Sequence, residues 1–325
     1  MIRQQTRADE NAEENARGSG HRSAGANTTA SMNHDHAIRT FSMEPGTQER
    51  LSWIACPVCG DTRHTPHWLI TSYRFVRCRG CGHIYQNPQP LFDDLQARYA
   101  QEYFEYEREN EEQFFQLMLK GLEDVDFFGP TASWNREEEG SPARFLDVGC
   151  ATGRLLAHLR DRGWDVAGVE ICRPAAAFAR NERGLPVFTG QLEDSDFAPE
   201  SFDVVHFSHV IEHVPDPRVF LSRVHELLVP GGVAVIVTPD VGGFQAALFR
   251  RRWRSAIADH LNLFSHRTLR RLLYKAQFHH VRKVSWGGLA AGTAPRWLKN
   301  LADRGAKRLN LGDVMLVLAR KPGER

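Results

Sequence analysis

The chain has 325 residues, of which 42% are hydrophobic and 25% charged, which is enough for one large core and a small additional domain. Its 41 basic and 40 acidic residues leave a net charge of +1, so no general positive field favours a polyanionic partner. With no apolar run near the roughly 18 residues of a membrane span, no signal-peptide pattern and no disulfide-like cysteine framework, we expect a cytoplasmic protein.

The first segment, residues 1–50, is rich in Gly, Ser, Asn, Thr, Glu and Arg and has almost no apolar clusters. A segment of this composition cannot bury enough apolar surface to offset its ordering entropy, so we expect it to be disordered.

Residues 51–90 contain two matched cysteine knuckles, Cys56-Pro-Val-Cys59-Gly60 and Cys78-Arg-Gly-Cys81-Gly82. A structural zinc site takes four thiolate or imidazole ligands in a tetrahedron, and a C-x-x-C pair places two sulfurs on one turn. The spacing therefore predicts a zinc ribbon with Cys56, Cys59, Cys78 and Cys81 as ligands. Four free or redox-active thiols are the alternative. A closed shell of four cysteines has no open position for catalysis, so the predicted role of the zinc is structural.

Residues 91–140 follow Pro88 and Pro90, which are expected to stop regular structure. The segment is predicted to be helical up to about residue 128 and to act as a linker or lid, with Tyr103 and Phe104 as candidates to cover a nucleotide site. The acidic run from Glu105 to Glu112 is interpreted as a solvated helix face.

Residues 141–325 alternate between apolar strand patterns and helical patterns, which predicts an α/β domain with a parallel sheet. Pro230-Gly231-Gly232 is expected to end regular structure before the strand at 233–237 begins. Strands are predicted at 145–148, 166–169, 204–207, 233–237, 281–286 and 314–319, and helices at 154–162, 174–182, 217–228 and 268–276.

The first strand leads into the turn Gly149-Cys-Ala-Thr-Gly153, which precedes a helix. A dinucleotide-binding turn has glycines where Ala151 and Arg154 stand, and the bulk of Arg154 argues against NAD or FAD. Glu170 ends the next strand, 21 residues after Gly149, where a carboxylate accepts hydrogen bonds from ribose hydroxyls.

These residues, together with Asp147 before the turn, resemble the first motif of the class I S-adenosylmethionine (SAM)-dependent methyltransferases. The resemblance covers about 143–240 well and the C-terminal part more loosely. It implies a Rossmann-like, seven-stranded, doubly wound sheet over residues 141–325, preceded here by the zinc ribbon and the helical segment. With the ribbon in front, the chain is similar to a subgroup of bacterial zinc-ribbon methyltransferases.

The resemblance implies SAM as the cofactor and a set of residues that bind it. The family usually has an aspartate where this chain has Gln191, whose amide oxygen can accept a hydrogen bond from the adenine amino group without charge assistance. The implied cofactor-binding residues are Asp147, Gly149, Ala151, Gly153, Glu170, Gln191, Leu192 and Ser208.

Three histidines are candidates for catalysis: His209 and His213 after the strand at 204–207, and His260 further along. An imidazole suits a general base at neutral pH, and His209 is the first candidate because the family's active site lies at the end of that strand. His206 is interpreted as core. A divalent metal held by His209, Glu212, His213 and His260 is an alternative, although Pro215 and Pro217 oppose a long helix there.

The expected reaction is methyl transfer by in-line attack, at oxygen, onto a small-molecule or carbohydrate-like acceptor. The basic run at Arg250, Arg251, Arg252 and Arg254 allows an anionic acceptor, or is a solvated face around Trp253. One alternative is an RNA methyltransferase that reads RNA with the ribbon, which the near-zero net charge opposes. Another is a SAM-binding scaffold without catalysis.

Overall fold

The computed structural model describes residues 50–96, 101–129, 141–287 and 304–323, so the expected disorder of residues 1–50 falls almost wholly outside the described part. Among the described residues, no helix is long and apolar enough to cross a membrane. The N-terminal module is built from short antiparallel strands, and β3 lies between β2 and β4. Its strands are β1 (Leu51–Ser52), β2 (His64–Ile70), β3 (Tyr73–Cys78), β4 (Ile84–Gln86) and β5 (Gln89–Pro90).

The prediction that regular structure stops at the two prolines is wrong, because Gln89–Pro90 pairs with Leu51–Ser52. Proline is tolerated here since β5 has a single two-residue partner and lies at an edge, where no second ladder needs its missing N–H.

Two helices follow the module, α1 (Phe92–Gln96) and α2 (Gln101–Asp124). The segment predicted to be helical up to about residue 128 is helical to Asp124 and forms a turn at 125–128. The predicted linker at 91–140 also includes residues 97–100 and 130–140, which lie outside them.

The described residues from 141 onwards form a seven-stranded sheet, which confirms the predicted seven-stranded α/β architecture. Its strands are β6 (Arg144–Val148), β7 (Asp165–Glu170), β8 (Val187–Thr189), β9 (Phe202–Ser208), β10 (Leu228–Pro239), β12 (His279–Trp286) and β13 (Val314–Arg320). They lie in the order β12-β13-β10-β9-β6-β7-β8. The sheet is mixed and not purely parallel as predicted, because β13 is antiparallel to both of its neighbours. Strand β8 was not predicted from the sequence.

The connections of the sheet are α3 (Arg154–Arg160), α4 (Arg173–Arg183), α5 (Pro217–Leu227), α6 (Phe244–Phe249) and α7 (His266–Lys275). A short strand, β11 (Asn262–Leu263), does not join this sheet but pairs with β4 and extends the sheet of β2, β3 and β4 to four strands. Backbone hydrogen bonds therefore join the N-terminal module to the segment between β10 and α7.

Strand β10 begins earlier than predicted, because the chain is already extended at Leu228. Its register with β9 shifts between Leu228 and Val233, and Gly231 has φ 80° within that shift. The Pro-Gly-Gly segment is thus an irregularity inside the strand and not a stop before it, since glycine accommodates the local backbone without steric cost.

Chain order reverses between β6 and β9, which lie side by side in the sheet with their carboxyl ends at one edge. In open α/β sheets, ligands bind outside the carboxyl ends of strands at such a reversal. The loops that follow β6, β7, β8 and β9 meet at this edge. Most of the predicted cofactor-binding residues lie in these loops; Asp147 lies within β6, and Glu170 and Ser208 are the last residues of β7 and β9.

Candidate active site and metal centre

The turn after β6 has a left-handed backbone at three of its five positions. The φ angles of Gly149, Ala151 and Gly153 are 74°, 46° and 77°. A Cβ added at Gly149 would lie 2.5 Å from the Val210 side chain, and one at Gly153 would overlap the Leu185 side chain. Glycine is therefore required at both ends of the turn. The backbone N–H groups of Gly149, Cys150, Ala151 and Gly153 all donate within the protein, which fixes the turn at the edge of the sheet.

Glu170 lies beneath this turn and is 2% exposed. Its carboxylate accepts hydrogen bonds from the backbone N–H of Ala151 at 2.8 Å and of Cys172 at 2.7 Å. Burial is the largest influence on the pKa of Glu170 and raises it to about 7, although the two N–H donors act to lower it. Glu170 therefore joins the loops after β6 and β7 and lies where the ribose of a nucleotide would be expected.

Asp147 is buried within β6, and its Oδ1 lies 2.7 Å from Nδ1 of His206 in β9. This contact joins the two strands at the point where the chain order reverses. His206 is 1% exposed, in agreement with its interpretation as a core residue. The carboxylate of Asp147 is thus already engaged by the protein, and its predicted contact with a cofactor stays a prediction.

The remaining predicted cofactor residues lie after β8 and at the end of β9. Gln191 donates its amide N–H to Asp194 at 3.4 Å, which leaves its amide oxygen for another partner. Leu192 is buried in the core, and Ser208 is the half-buried last residue of β9. The structure brings the loops together, while contact of these three residues with a cofactor stays a prediction.

Helix α2 lies across the cofactor turn, and Glu111 holds it there. Both carboxylate oxygens of Glu111 accept hydrogen bonds from Arg183 at 2.8 Å, and Glu111 also accepts from the Thr152 hydroxyl. The Arg154 guanidinium lies over the Phe115 ring, 4.2 Å from its centroid, so the residue that replaces a glycine packs against this helix.

Glu107 lies one helical turn before Glu111 and on the same face of α2. It is half-buried, and burial followed by repulsion from the Glu170 carboxylate raises the pKa of Glu107 to about 7. The interpretation of the acidic run as a solvated face is therefore wrong for Glu107 and Glu111. Charge density alone could not identify them, but their spacing of four residues places them on one face.

His209 follows β9 and has φ 55°, a left-handed conformation uncommon for a residue with a side chain. Its Nδ1 donates to Oε1 of Glu212 at 3.0 Å, and the other carboxylate oxygen accepts from the Thr238 hydroxyl at 2.9 Å. Glu212 is 1% exposed, and burial alone would raise its pKa. The hydrogen bond from His209 and the neighbouring histidines together lower the pKa of Glu212 to about 2. A carboxylate that binds Nδ1–H leaves Nε2 of His209 as a proton acceptor, on a side chain that is 42% exposed.

The other two candidate histidines, His213 and His260, also lie close to Glu212. Nδ1 of His213 donates to the Asp259 carbonyl at 2.9 Å, and Nδ1 of His260 donates to the Ser255 carbonyl at 2.8 Å. Burial is the main cause that lowers the pKa of His260 to about 3, so His260 is neutral at ordinary pH and its lone pair lies on Nε2. That Nε2 is buried without a hydrogen-bond partner in the described part of the chain.

Ligand atoms of Glu212, His213 and His260 lie within 4.8 Å of one another. Two imidazoles and a carboxylate form a donor set that fits a divalent transition metal. Turn structure at Ile211–His213 agrees with the expectation that no long helix forms there.

The four knuckle cysteines converge as predicted. Sγ of Cys56 lies 3.6 Å from Sγ of Cys81, and Sγ of Cys59 lies 3.4 Å from Sγ of Cys78. A zinc ion with Zn–S bonds of about 2.3 Å separates its sulfurs by about 3.8 Å, so the arrangement fits a tetrahedral site. The hydrogen bond between Cys56 and Cys81 lowers the pKa of the Cys81 thiol and raises that of Cys56, so the two sulfurs share one proton when no metal is bound.

A family model described as a methyltransferase domain matches residues 124–283 of this chain. The match covers β6 to α7 and thus the cofactor turn, Glu170 and all three candidate histidines.

Two similar proteins are both named ubiquinone biosynthesis O-methyltransferase. The one from Cereibacter sphaeroides is 38% identical over 100 residues, which is 29% of this chain and 40% of the relative. The one from Pseudomonas aeruginosa is 34% identical over 113 residues, which is 33% of this chain and 49% of the relative. The chain therefore spans less than half the length of these curated relatives.

Among solved structures, a SAM-dependent methyltransferase from Thermotoga maritima, described as a possible histamine N-methyltransferase, aligns with a TM-score of 0.49 and 22% identity. The alignment covers 67% of this chain and 94% of that one.

Proposed function

We propose that this chain, whose residues 124–283 belong to the methyltransferase domain family, transfers a methyl group from SAM to an oxygen atom of a small-molecule acceptor. The observation that carries the proposal is the meeting of the Gly149–Gly153 turn, buried Glu170 and the His209–Glu212 pair at one edge of the sheet. These parts supply a nucleotide site and a proton acceptor side by side.

In this proposal SAM, when bound, supplies a methyl group already activated on a sulfonium. The task of the protein is to hold the cofactor, to align the acceptor and to exclude water. The turn would pack its backbone against the cofactor, Glu170 would accept from the ribose hydroxyls, and Gln191 would accept from the adenine amino group through its amide oxygen. Helix α2 covers the site, with Glu107 facing inward and Glu111 fixed to Arg183.

His209 is the proposed general base. Glu212 accepts the hydrogen bond from Nδ1–H and so orients Nε2 of His209 for the acceptor hydroxyl. Nε2 takes the proton of that hydroxyl as its oxygen attacks the methyl group. The left-handed backbone of His209 agrees with a functional constraint, since such strain clusters at active sites. His213 and His260 donate to carbonyls and are assigned to the structure of the surrounding loops.

Support for oxygen as the acceptor atom comes from the names of the relatives, which are O-methyltransferases. Support for an anionic acceptor is weaker, because Arg254 pairs with Asp313 and Trp253 is buried. The RNA alternative also loses support, since Arg63 pairs with Asp61 and Arg74 lies over Trp53 within the module.

We also propose that Cys56, Cys59, Cys78 and Cys81 hold a structural zinc ion. Their convergent sulfurs support it, as does the absence of disulfides among the six cysteines. Free thiols agree with the expected cytoplasmic location, which stays a prediction.

A second candidate mechanism uses a divalent metal at Glu212, His213 and His260 to lower the pKa of the acceptor hydroxyl. The unpartnered, buried Nε2 of His260 favours it. Removal of that metal while the zinc ribbon stays loaded would abolish transfer; retained activity would exclude this mechanism and leave His209 as the base.

The proposed function is tested by supplying SAM with a labelled methyl group and a fractionated cell extract. We expect label in a small-molecule fraction, and a His209→Asn variant should fail to transfer it. Label in RNA would favour the RNA alternative, and no label in any fraction would favour the scaffold.

A further inference from the structure

The zinc ribbon makes direct contact with the loops that carry the candidate catalytic residues, and Asn262 is the residue at which they meet. Strand β11, which contains Asn262, is the fourth strand of the ribbon sheet and pairs Asn262 with Tyr85 and Leu263 with Ile84. Only one residue separates Asn262 from His260. The ribbon sheet therefore ends inside the methyltransferase domain.

Asn262 makes three further hydrogen bonds. Its side-chain oxygen accepts from Nε2 of His83 at 3.1 Å, its side-chain N–H donates to the Val214 carbonyl at 2.8 Å, and its backbone N–H donates to the Glu212 carbonyl at 3.0 Å. Asn262 is completely buried, so the loss of any partner would leave an unsatisfied polar group.

His83 comes two residues after Cys81 and is also completely buried. Its ring stacks on Tyr85 with centroids 5.9 Å apart and packs at a tilt on Phe264 at 4.9 Å. The segment after the second knuckle thus holds the His83 imidazole, which binds the side-chain amide of Asn262. Gln86 adds two hydrogen bonds to the same segment: its backbone N–H donates to the Leu261 carbonyl and its side-chain N–H to the Ala258 carbonyl.

We propose that Asn262 is a positioning residue for the catalytic loops, and that the zinc ribbon acts on methyl transfer through His83 and Asn262. This series of contacts joins the ribbon to the two segments that carry candidate catalytic residues, the turn at 211–214 and the segment at 258–263; we call these two segments the acceptor side.

The series of contacts does not include the proposed SAM-binding turn at 149–153. The ribbon should therefore affect the acceptor side of the reaction and leave SAM affinity unchanged. This inference rests on the proposed function for its catalytic consequence.

The test compares His83→Phe, which keeps the ring packing but removes the donor, with His83→Gln, which restores an N–H donor. His67→Phe is the matched control, since His67 lies in β2 of the same module and its ring nitrogen lies 3.4 Å from Arg77. Each protein is prepared with zinc bound. Amide hydrogen exchange, SAM affinity by calorimetry, zinc content and labelled methyl transfer are measured on all of them.

His83→Phe should increase exchange at 209–216 and 258–264 about tenfold and lower methyl transfer by a similar factor, with zinc content and SAM affinity unchanged. His83→Gln should recover most of both losses, and His67→Phe should match the unmodified protein. Unchanged exchange in His83→Phe would overturn the proposal, as would equal effects of Phe and Gln or equally increased exchange at 149–153. If no form binds SAM, the proposed function fails, while the exchange pattern still decides whether Asn262 positions these loops.

Discussion

Nδ1 of His209 lies 3.0 Å from Oε1 of Glu212, a carboxylate that is 1% exposed and is held on its other oxygen by Thr238. The pair sits at the end of β9, beside the turn after β6. This arrangement orients Nδ1 of the imidazole, while Nε2 has no hydrogen bond among the described residues, which is the geometry that a general base requires.

Replacement of His209 should separate catalysis from cofactor binding. His209→Asn tolerates the left-handed backbone, so the loop is retained while the base is lost. We expect methyl transfer to fall about 100-fold or more, with SAM affinity within about twofold of the unmodified protein. His64→Asn on the ribbon surface is the control. Unimpaired transfer by His209→Asn would assign the proton transfer to another group.

Glu170 should be required for SAM affinity. Glu170→Gln keeps the size of the side chain but loses the charge and one of the acceptors that bind Ala151 and Cys172. We expect SAM to bind about ten- to a hundredfold more weakly in calorimetric titration. Glu182→Gln, an exposed position on α4, should bind SAM normally. Equal affinity of both variants would remove Glu170 from the cofactor site.

The affinity for SAM should rise with pH. The pKa values of Glu107 and Glu170 are raised from 4.5 to about 7, so between these values the folded chain binds more protons than the unfolded chain. The free energy of unfolding without cofactor should therefore fall as pH rises through this range.

SAM carries positive charge and needs ionised carboxylates, so its affinity should increase by up to about tenfold per group for each pH unit in the same range. Calorimetry between about pH 5.5 and 8 measures the effect. A flat profile would contradict it, and Glu107→Gln should reduce the slope.

The ribbon should hold one zinc ion per chain. Cys78→Ser removes one of the four converging sulfurs and should abolish zinc binding and lower the melting temperature, because the metal contributes directly to folding of such modules. Cys150→Ser, which replaces a buried thiol outside the cluster, should keep its zinc. Zinc content by mass spectrometry distinguishes the two, and a zinc-free unmodified protein would contradict the prediction.

The sequence predicted the central sheet well because β6, β7, β9 and β10 are buried on both faces and therefore appear as continuous apolar runs. Strand β8 was missed since it has only three residues, two of them half-buried. The cofactor turn and the cysteine cluster were predictable because each is a local pattern of fixed spacing.

Contacts between residues that are distant in the sequence could not be predicted from local patterns. Pairing of Asn262 with Tyr85 joins residues far apart in the chain, and β11 has only two residues of its own. Glu111 was missed for a similar reason, since its partner Arg183 lies on another helix. In both cases the decisive interaction depends on how distant segments pack.

Calorimetric titration of the chain with SAM, and separately with NADH, tests whether the turn after β6 and Glu170 form a SAM site. The turn at 149–153 and Glu170 predict one SAM bound per chain, and Arg154 packed on Phe115 predicts no binding of NADH. Saturable binding of SAM, without binding of NADH, would support the proposed function. Binding of NADH, or no heat with SAM across the pH range in which Glu170 is ionised, would contradict it.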